Sequence, residues 1–390
     1  MKFDFDKETD RSGTYSYKWD GAYRYFGTND VVPLWIADMD FKAPQKVIEA
    51  LEKRASHGIY GYTKEESEHK EPFINWAKKR YGYDVEEKWI INTPGVVPAI
   101  CAAIQSLTEK GDSVLIQPPV YPPFFSSIKN NERNLVLNPL KYEDGKYEID
   151  FEDFESKIKN ENVKLFLLCN PQNPVGRVWS SEDLERVLRI CADNDVIVFS
   201  DEIHGDIIYK GSNFSSVLTL SKEYYDRLIV ATAPSKTFNI AGLYYSNIII
   251  PDEKLRDKIS FIFTQLNVSA ENVFSIEAGR AVYEYGEEWV DELVKYLEGN
   301  AEYVVDFINE KLPKVKAYKP ESTYLMWVDF SEIFNSQEKL IDFLINEAKV
   351  GLNDGTTFSE DYVGFARLNI ASPRSIIKEG LERLERALNS

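Results

Sequence analysis

Between residues 97 and 250 the chain alternates short apolar runs with longer stretches in which apolar residues recur at helical spacing. The short runs are rich in β-branched side chains and predict buried strands, and the stretches between them predict helices. This alternation favours an α/β domain built on a mostly parallel sheet. The predicted strands are Ser113–Ile116, Leu135–Leu137, Val163–Cys169, Val196–Ser200, Leu228–Thr232 and Asn247–Ile250.

The pattern changes after Pro251. Residues 252–268 and 270–312 have helical periodicity, and Glu284–Leu312 is long enough to bridge two lobes. The rest of the chain mixes strand-like and helical stretches, which favours an α+β arrangement and a second domain. The predicted strands there are 317–318, 324–330 and 365–370, and the predicted helices are 337–349 and 373–388. The pattern leaves open whether the N-terminal residues, 1–45, complete this domain or cover the functional site.

Composition and charge restrict the class of protein. The chain has 390 residues, of which 43% are apolar and 28% charged, as is typical of a soluble globular protein with two or three domains. Its formal net charge of −18 disfavours nucleic acid and anionic membrane surfaces as partners, because both would be repelled. A local positive pocket for an anionic cofactor remains compatible with this charge.

Two further features favour a cytoplasmic protein. The first residues are acidic without an apolar signal segment, and no apolar run approaches the roughly 20 residues that span a bilayer. The cysteines, Cys101, Cys169 and Cys191, lie in apolar contexts and form no CxxC pair. We therefore expect core thiols in a reducing compartment.

Three polar side chains lie just past the ends of apolar runs: Asn173, Asp201 and Lys236. In open parallel sheets ligands bind beyond the carboxyl ends of the strands, so one crevice would gather all three. Each alone is explained as well by a turn, a cap or a solvated charge, but their order and sheet context favour a site for pyridoxal phosphate. That cofactor needs an amine for its aldehyde, a carboxylate for its pyridine nitrogen and a donor for its ring oxygen.

The chemistry of this cofactor gives each side chain a distinct role. Lys236 would bind the aldehyde and later act as base on the substrate Cα–H, which requires an amine of lowered pKa. Asp201 would keep the pyridine nitrogen protonated through a charge-assisted hydrogen bond, and Asn173 would donate to the ring oxygen. Tyr121, in a proline-rich turn, would stack on the pyridine face, with burial in the core as the alternative.

The cofactor phosphate needs backbone N–H groups at the start of a helix. Gly95 lies in a turn that opens a predicted helix over 97–108, so Val96 and Val97 are candidate phosphate contacts. The Ser235 hydroxyl, next to the lysine, is a further candidate.

We expect an arginine to bind the substrate carboxylate, because its planar guanidinium can donate two parallel hydrogen bonds to a carboxylate. Arg367 lies inside an apolar, strand-like run, where a guanidinium is costly to bury unless it is paired. Arg374 and Arg280 are the alternatives, and both have the sequence context of helix-surface charges.

Other chemistries lack their sequence signatures. No GxGxxG follows a strand and no GxxxxGK[ST] occurs, so nicotinamide and P-loop phosphate sites are not indicated. His57, His69 and His204 are too scattered for a zinc site, and no HExxH occurs, so we expect no metal. The GxSxG of a serine hydrolase is absent.

Taken together, these motifs resemble fold-type I pyridoxal-phosphate enzymes of the class I/II aminotransferase superfamily, and within it the cystathionine β-lyase (C–S lyase) branch. The resemblance covers nearly the whole chain. The segments that carry it are 34–41 (LWIADMDF), 60–63 (YGYT), 93–99, 170–176, 201–204 (DEIH), 235–243, 351–355 and 367–370.

The resemblance implies a large α/β domain with a seven-stranded, mostly parallel sheet over residues 46–285, and a smaller, discontinuous α+β domain made of residues 1–45 and 286–390. It also implies a homodimer with shared active sites, in which Tyr62 reaches the phosphate of the neighbouring subunit. Arg367 matches the substrate-carboxylate arginine. Trp35 lies in the segment that lines the substrate side, and Asn173 faces both cofactor and substrate.

Several positions depart from the wider superfamily. His204 stands where many aminotransferases carry a tyrosine that bonds the ring oxygen; it suits the lyase branch, and we count it as a cofactor contact. Tyr244 replaces a phosphate-binding arginine and Ala233 lacks a hydroxyl, so the phosphate would depend more on the helix N-terminus and Tyr62. The loop Phe358–Tyr362 lacks an expected glycine, which leaves substrate size open.

The resemblance implies a lyase that converts cystathionine or related cysteine S-conjugates into a thiol (homocysteine from cystathionine), pyruvate and ammonia. An aminotransferase of the same fold is the alternative. A regulatory or binding protein that kept the fold is a third possibility, disfavoured by the complete set of Lys236, Asp201, Asn173 and Arg367. The sequence leaves open which sulfur amino acid is preferred and whether the assembly is larger than a dimer.

Overall fold

The protein is described here by a computed structural model that covers residues 3–268 and 272–389. Its strands, in chain order, are β1 (Val32–Pro33), β2 (Ile90–Thr93), β3 (Ser113–Ile116), β4 (Asn134–Leu137), β5 (Lys141–Glu143), β6 (Lys146–Glu148), β7 (Val163–Cys169), β8 (Ile197–Asp201), β9 (Leu228–Thr232), β10 (Ser246–Ile249), β11 (Lys316–Ala317), β12 (Leu325–Asp329), β13 (Val350–Gly351), β14 (Asn353–Asp354) and β15 (Phe365–Asn369).

The α-helices lie between and after these strands. In chain order they are α1 (Ala22–Phe26), α2 (Gln45–Ser56), α3 (Ser67–Trp76), α4 (Val96–Leu107), α5 (Pro122–Asn130), α6 (Phe151–Asn160), α7 (Ser181–Asp193), α8 (Pro234–Thr237), α9 (Glu253–Gln265), α10 (Val273–Tyr285), α11 (Glu287–Lys311), α12 (Gln337–Asp342) and α13 (Arg374–Leu388).

The largest sheet has seven strands in the order β2-β10-β9-β8-β7-β3-β4. Its strands are parallel except β10, which is antiparallel to both of its neighbours. Helices pack on both faces, so the central strands β7 and β9 are almost entirely buried and read as continuous apolar runs. The predicted seven-stranded, mostly parallel sheet is confirmed. The strand β2 was missed, because Asn92 and Thr93 interrupt its short apolar run.

The predicted helix Glu284–Leu312 is confirmed as α11, but it begins at Glu287 because Gly286 separates it from α10. A Cβ atom at Gly286 would overlap the Phe238 ring and the Val282 carbonyl, so only glycine fits this close approach. The predicted helix 270–312 starts at residues outside the described part of the chain. The predicted helix 337–349 is α12 followed by a π-turn over Phe343–Glu347.

The C-terminal part forms a four-stranded antiparallel sheet in the order β11-β12-β15-β14. The N-terminal segment joins this part, since β1 pairs in parallel with β13 and the Asp40 N–H donates to the Ala371 carbonyl (2.9 Å). Residues 35–41 then run on to the carboxyl edge of the large sheet. The N-terminal residues therefore both join the C-terminal part and cover the edge of the large sheet, the two alternatives that the pattern left open. The boundaries 46–285 and 1–45 with 286–390 stay predictions.

None of the helices in the described ranges combines the length and the apolar character needed to cross a bilayer.

Candidate active site

A cavity of about 350 Å³ lies at the carboxyl edge of the large sheet. It forms where the neighbouring parallel strands β7, β8 and β9 end, with Cys169 beside Asp201 and Asp201 beside Ala231. The loops after these strands bring Asn173, Asp201 and Lys236 together, as the sequence predicts for a parallel sheet. The cavity is lined by Ala37, Pro94, Gly95, Val96, Val97, Pro98, Tyr121, Cys169, Asn173, Asp201, Ile203, His204, Ser235, Lys236, Ala241 and Tyr244.

Lys236 lies in the short helix α8, which starts with Pro234 in its first turn. Its amine donates a hydrogen bond to the Ala37 carbonyl (2.8 Å). Burial and the nearby Arg367 guanidinium lower the pKa of Lys236 to about 8, against the opposing effect of Asp38 and Asp201. An amine with this pKa is uncharged often enough near neutral pH to act as a nucleophile and a base.

Two side chains that follow Lys236 hold its backbone in place. Thr237 donates from its hydroxyl to the buried Asp206 carboxylate (2.8 Å). Asn239, in the left-handed region (φ 58°), donates to the carbonyls of Met39 (2.9 Å) and Phe41 (2.8 Å) and accepts from the Met39 N–H (3.0 Å). Nothing local in the sequence marks Thr237, Asp206 and Asn239, because the partners of their side chains lie far away along the chain.

Asp201 is a buried carboxylate at the base of the cavity. Burial raises its pKa to about 7, against the lowering effects of the Ile203 N–H (3.2 Å) and of Lys236. It forms no ion pair within the described ranges. A buried carboxylate of this kind gains most from a cationic hydrogen-bond donor placed in the cavity.

His204 lines the same cavity and is also buried. Burial, together with the charges of Lys236 and Arg367, lowers the pKa of His204 to about 3, so the imidazole is neutral. Its Nδ1 atom has no hydrogen-bond partner within the described residues. Buried polar atoms normally have partners, so this atom is suited to a bound group.

Arg367, on β15, is a buried cation without a carboxylate partner in the described structure. Its guanidinium donates to Asn173 Oδ1 (3.1 Å), to the Trp35 carbonyl (3.1 Å) and to Asn353 Oδ1 (2.5 Å). Its Nε atom has no partner there, and the Phe358 ring lies 4.9 Å away. Burial lowers the pKa of Arg367 to about 10. Such a group binds an incoming carboxylate favourably, because the anion compensates a charge that is already desolvated.

The two alternative arginines have other partners. Arg280 forms ion pairs with Glu277 and Glu284 on its own helix. Arg374 donates to Asn300 Oδ1 (2.6 Å) and lies over the Tyr303 ring. Neither lines the cavity. Arg367 does not itself line the cavity either, but its guanidinium donates to Asn173, which does, so Arg367 is the arginine that the structure places next to the site.

The N-terminus of α4 forms the opposite end of the cavity. Gly95 precedes the helix, and the unpaired N–H groups of its first turn, which includes Val96 and Val97, lie at the cavity wall. Ser235 and Tyr244 line the same cavity. A phosphate fits such an end, since a helix N-terminus offers N–H donors and a partial positive charge.

Three predicted residues have distinct environments. Tyr121 lines the cavity and precedes α5. The Trp35 indole donates to the Lys18 carbonyl (3.0 Å), whereas the Trp35 carbonyl accepts from the Arg367 guanidinium. Tyr62 is fully exposed and does not line the cavity of its own chain.

These residues fit pyridoxal phosphate. The cavity offers an amine of lowered pKa at Lys236, a buried carboxylate at Asp201 that forms no ion pair among the described residues, and helix N–H groups for a phosphate. The unpartnered His204 Nδ1 lies among them. The donor set therefore matches the aldehyde, ring nitrogen and phosphate of this cofactor.

Comparison with known proteins gives the same assignment. The model of the aminotransferase class I and II family matches residues 29–384. Cystathionine beta-lyase PatB of Bacillus subtilis is 43% identical over 385 residues, which cover 99% of this chain and 100% of that protein. Cystalysin from Treponema denticola, a structure that contains pyridoxal 5'-phosphate, is 38% identical with a TM-score of 0.97 and covers 100% of this chain and 99% of its own. The C–S lyase from Staphylococcus hominis, with the same cofactor bound, is 37% identical with a TM-score of 0.92 and covers 100% and 98%.

Proposed function

The chain belongs to the class I and II aminotransferase family, and we propose that within it the protein is a pyridoxal-phosphate-dependent carbon–sulfur β-lyase. Its substrates are cystathionine or related cysteine S-conjugates, and its products are a thiol, pyruvate and ammonia. From cystathionine the thiol is homocysteine.

One structural observation carries this proposal. The cavity joins an amine of lowered pKa, Lys236, to the Asn173 side chain, which in turn accepts a hydrogen bond from the buried Arg367. Such a pair suits an α-amino acid, because a guanidinium with no carboxylate partner among the described residues can bind its carboxylate and an uncharged amine can take its Cα proton. The full-length similarity to a cystathionine β-lyase and to C–S lyases supports elimination as the reaction.

Each residue then has a definite task. Bound pyridoxal phosphate supplies an electron sink that is conjugated with the α-carbon of the substrate. Arg367 binds the substrate carboxylate, with Asn173 and Asn353 fixing the plane of its guanidinium. Lys236 takes the proton from the substrate Cα, and the electron pair left behind displaces the thiolate as the Cβ–S bond breaks.

The remaining residues hold the cofactor and its charge. Asp201 would accept a hydrogen bond from the protonated pyridine nitrogen, and this ion pair would compensate the cost of burying the carboxylate. Val96, Val97 and Ser235 would hold the phosphate. His204 stays neutral at working pH, so it adds no positive charge beside the ring.

Transamination is the alternative, because the same residues serve a reaction in which the α-proton moves to the cofactor. We expect the purified protein to release homocysteine from L-cystathionine at the same rate with and without 2-oxoglutarate. L-Alanine is the matched control, since it has no β-leaving group. Thiol release that requires 2-oxoglutarate, or rapid amino transfer from L-alanine, would assign the protein to the aminotransferases.

We also infer that two chains form a homodimer with shared active sites. A single chain leaves large apolar side chains exposed, which is typical of an interface. They include Ile59, Tyr60, Tyr62, Tyr244, Phe261 and Leu266. Tyr62 then reaches the phosphate bound by the other chain. The three cysteines are free, which supports a reducing compartment such as the cytoplasm.

Mixing Lys236→Ala with a variant that binds the cofactor weakly, assayed at limiting pyridoxal phosphate, tests the shared site. In a hybrid of Lys236→Ala and Tyr62→Ala chains, one site combines intact Lys236 with intact Tyr62, so we expect activity to return. Tyr62→Ala alone should retain pyridoxal phosphate about 10- to 100-fold less tightly, the effect of one hydrogen bond to a charged group. The matched control is Lys236→Ala mixed with Arg367→Ala, which should stay inactive because both residues serve the site of their own chain. If activity returned in neither of the two mixtures, the shared site would be contradicted.

A further inference from the structure

The Ala37 carbonyl accepts two hydrogen bonds in the candidate active site. One comes from the Lys236 amine (2.8 Å) and the other from the Tyr324 hydroxyl (3.0 Å). Tyr324 precedes β12 and is completely buried. Because a carbonyl oxygen has two lone pairs, these donors together use its accepting capacity.

The position of this carbonyl is fixed by its neighbours. Asn369, on β15, donates through Nδ2 to the carbonyl of Asp38 (2.7 Å) and to that of Ile36, on either side of Ala37. Asn239 holds the next turn of the segment through Met39. The flanking carbonyls are thus engaged, and the Ala37 carbonyl is left to Lys236 and Tyr324.

We propose that Tyr324 is a positioning residue for Lys236: by donating to the Ala37 carbonyl, it limits how tightly that carbonyl holds the lysine amine. The proposal rests on the assignment of Lys236 as the group that binds the cofactor and moves the substrate proton. Neither the sequence motifs nor the comparisons single out Tyr324 or the Ala37 carbonyl.

The reason is electrostatic. An acceptor stabilises an ammonium more than an amine, so a carbonyl fully available to Lys236 would favour the protonated, unreactive form. The Tyr324 hydroxyl dipole opposes that effect at the same oxygen atom. Without the Tyr324 hydroxyl, the Ala37 carbonyl would bind the free Lys236 amine more tightly, and a larger fraction of that amine would be protonated.

Other groups act on Lys236 from the surrounding elements, and they stay unchanged in the test. The carboxylates favour the ammonium and the guanidinium opposes it, while the imidazole is neutral. These groups are Asp38 before α2, Asp201 at the end of β8, His204 after β8 and Arg367 on β15.

The test is Tyr324→Phe in the full-length chain. The rate at which pyridoxal phosphate combines with the cofactor-free protein is measured against pH, since only the uncharged amine reacts with the aldehyde. We expect the midpoint of this profile to rise by about half a unit to one unit, the effect of one hydrogen bond. In the pH profile of kcat/KM, the midpoint on the acid side should also move to higher pH. KM should change little, because Arg367 is intact.

Tyr209→Phe is the matched control. The Tyr209 hydroxyl is also buried and donates to the carbonyl of Thr323, the residue before Tyr324, but not to Ala37. Its removal should leave the midpoint unchanged. A difluorotyrosine at position 324, whose hydroxyl is a stronger donor of nearly the same size, should lower the midpoint and keeps the test decisive if Tyr324→Phe folds poorly.

An unchanged midpoint in both Tyr324 variants, or an equal shift in Tyr209→Phe, would overturn the proposal. The association profile depends on Lys236 and the cofactor alone. It therefore stays informative even if the substrate proves not to be a sulfur amino acid, in which case only the proposed reaction fails.

Discussion

Lys236→Ala is expected to fold normally and to lose turnover of cystathionine by roughly 10³-fold or more. In the proposed reaction the substitution removes both the amine that binds the cofactor aldehyde and the base that takes the α-proton, and a positioned base alone contributes about 10²- to 10⁴-fold. The measurement is kcat for pyruvate release, with thermal unfolding of the cofactor-free chain recorded beside it.

Lys319→Ala is the control for this substitution. Lys319 forms ion pairs with Glu298 and Glu302 far from the cavity, so its removal should leave kcat unchanged. A Lys236→Ala chain that is folded and eliminates at near-normal rates would show that the catalytic amine lies elsewhere.

Arg367→Lys is expected to lower kcat/KM about 10- to 100-fold, mainly through a higher KM. Lysine keeps the charge but loses the planar fork that binds a carboxylate with two hydrogen bonds, and one hydrogen bond to a charged group contributes about 1.5–3 kcal/mol. The loss should be the same for every substrate with an α-carboxylate, because the contact does not involve the sulfur substituent.

Arg280→Lys tests whether this effect is specific. It makes the same change in an arginine whose partners, Glu277 and Glu284, lie on the same helix, and it should leave both kcat and KM as they are. If Arg367→Lys raised KM no more than Arg280→Lys does, the substrate carboxylate would have to bind another group.

The large sheet and the centre of the site are readable from the sequence because they depend on local patterns. A buried parallel strand is a continuous apolar run, and its end is where a polar ligand-binding residue follows. Asn173, Asp201 and Lys236 each obey this rule, and the structure gathers them in one cavity. Their placement required only that neighbouring parallel strands end at the same edge.

The contacts of the N-terminal segment could not be predicted in this way. The Ala37 carbonyl has no side-chain signature, yet Lys236 and Tyr324, 199 and 287 residues away along the chain, both donate to it. A similar pair is Lys18 with Asp40, both buried and 2.7 Å apart. Burial would raise the pKa of Asp40, but the Lys18 ammonium lowers it to about 2. Nothing local marks Lys18 as buried.

Two further residues show where motif matching stops. The Trp35 indole donates to the Lys18 carbonyl while its backbone carbonyl accepts from Arg367, a distinction that a motif does not contain. Tyr62 is fully exposed in the single chain, so its contact with a phosphate stays a prediction that one folded copy does not test.

The most direct test of the proposed reaction follows one sample of cofactor-loaded protein after L-cystathionine is added without any keto acid. Visible absorption reports the state of the cofactor, and pyruvate and thiol are counted per chain. The proposal predicts many equivalents of pyruvate per chain, an equal amount of homocysteine and a cofactor that stays in the aldehyde form. At most one equivalent of keto product, with conversion of the cofactor to its amine form, would contradict the lyase and identify an aminotransferase.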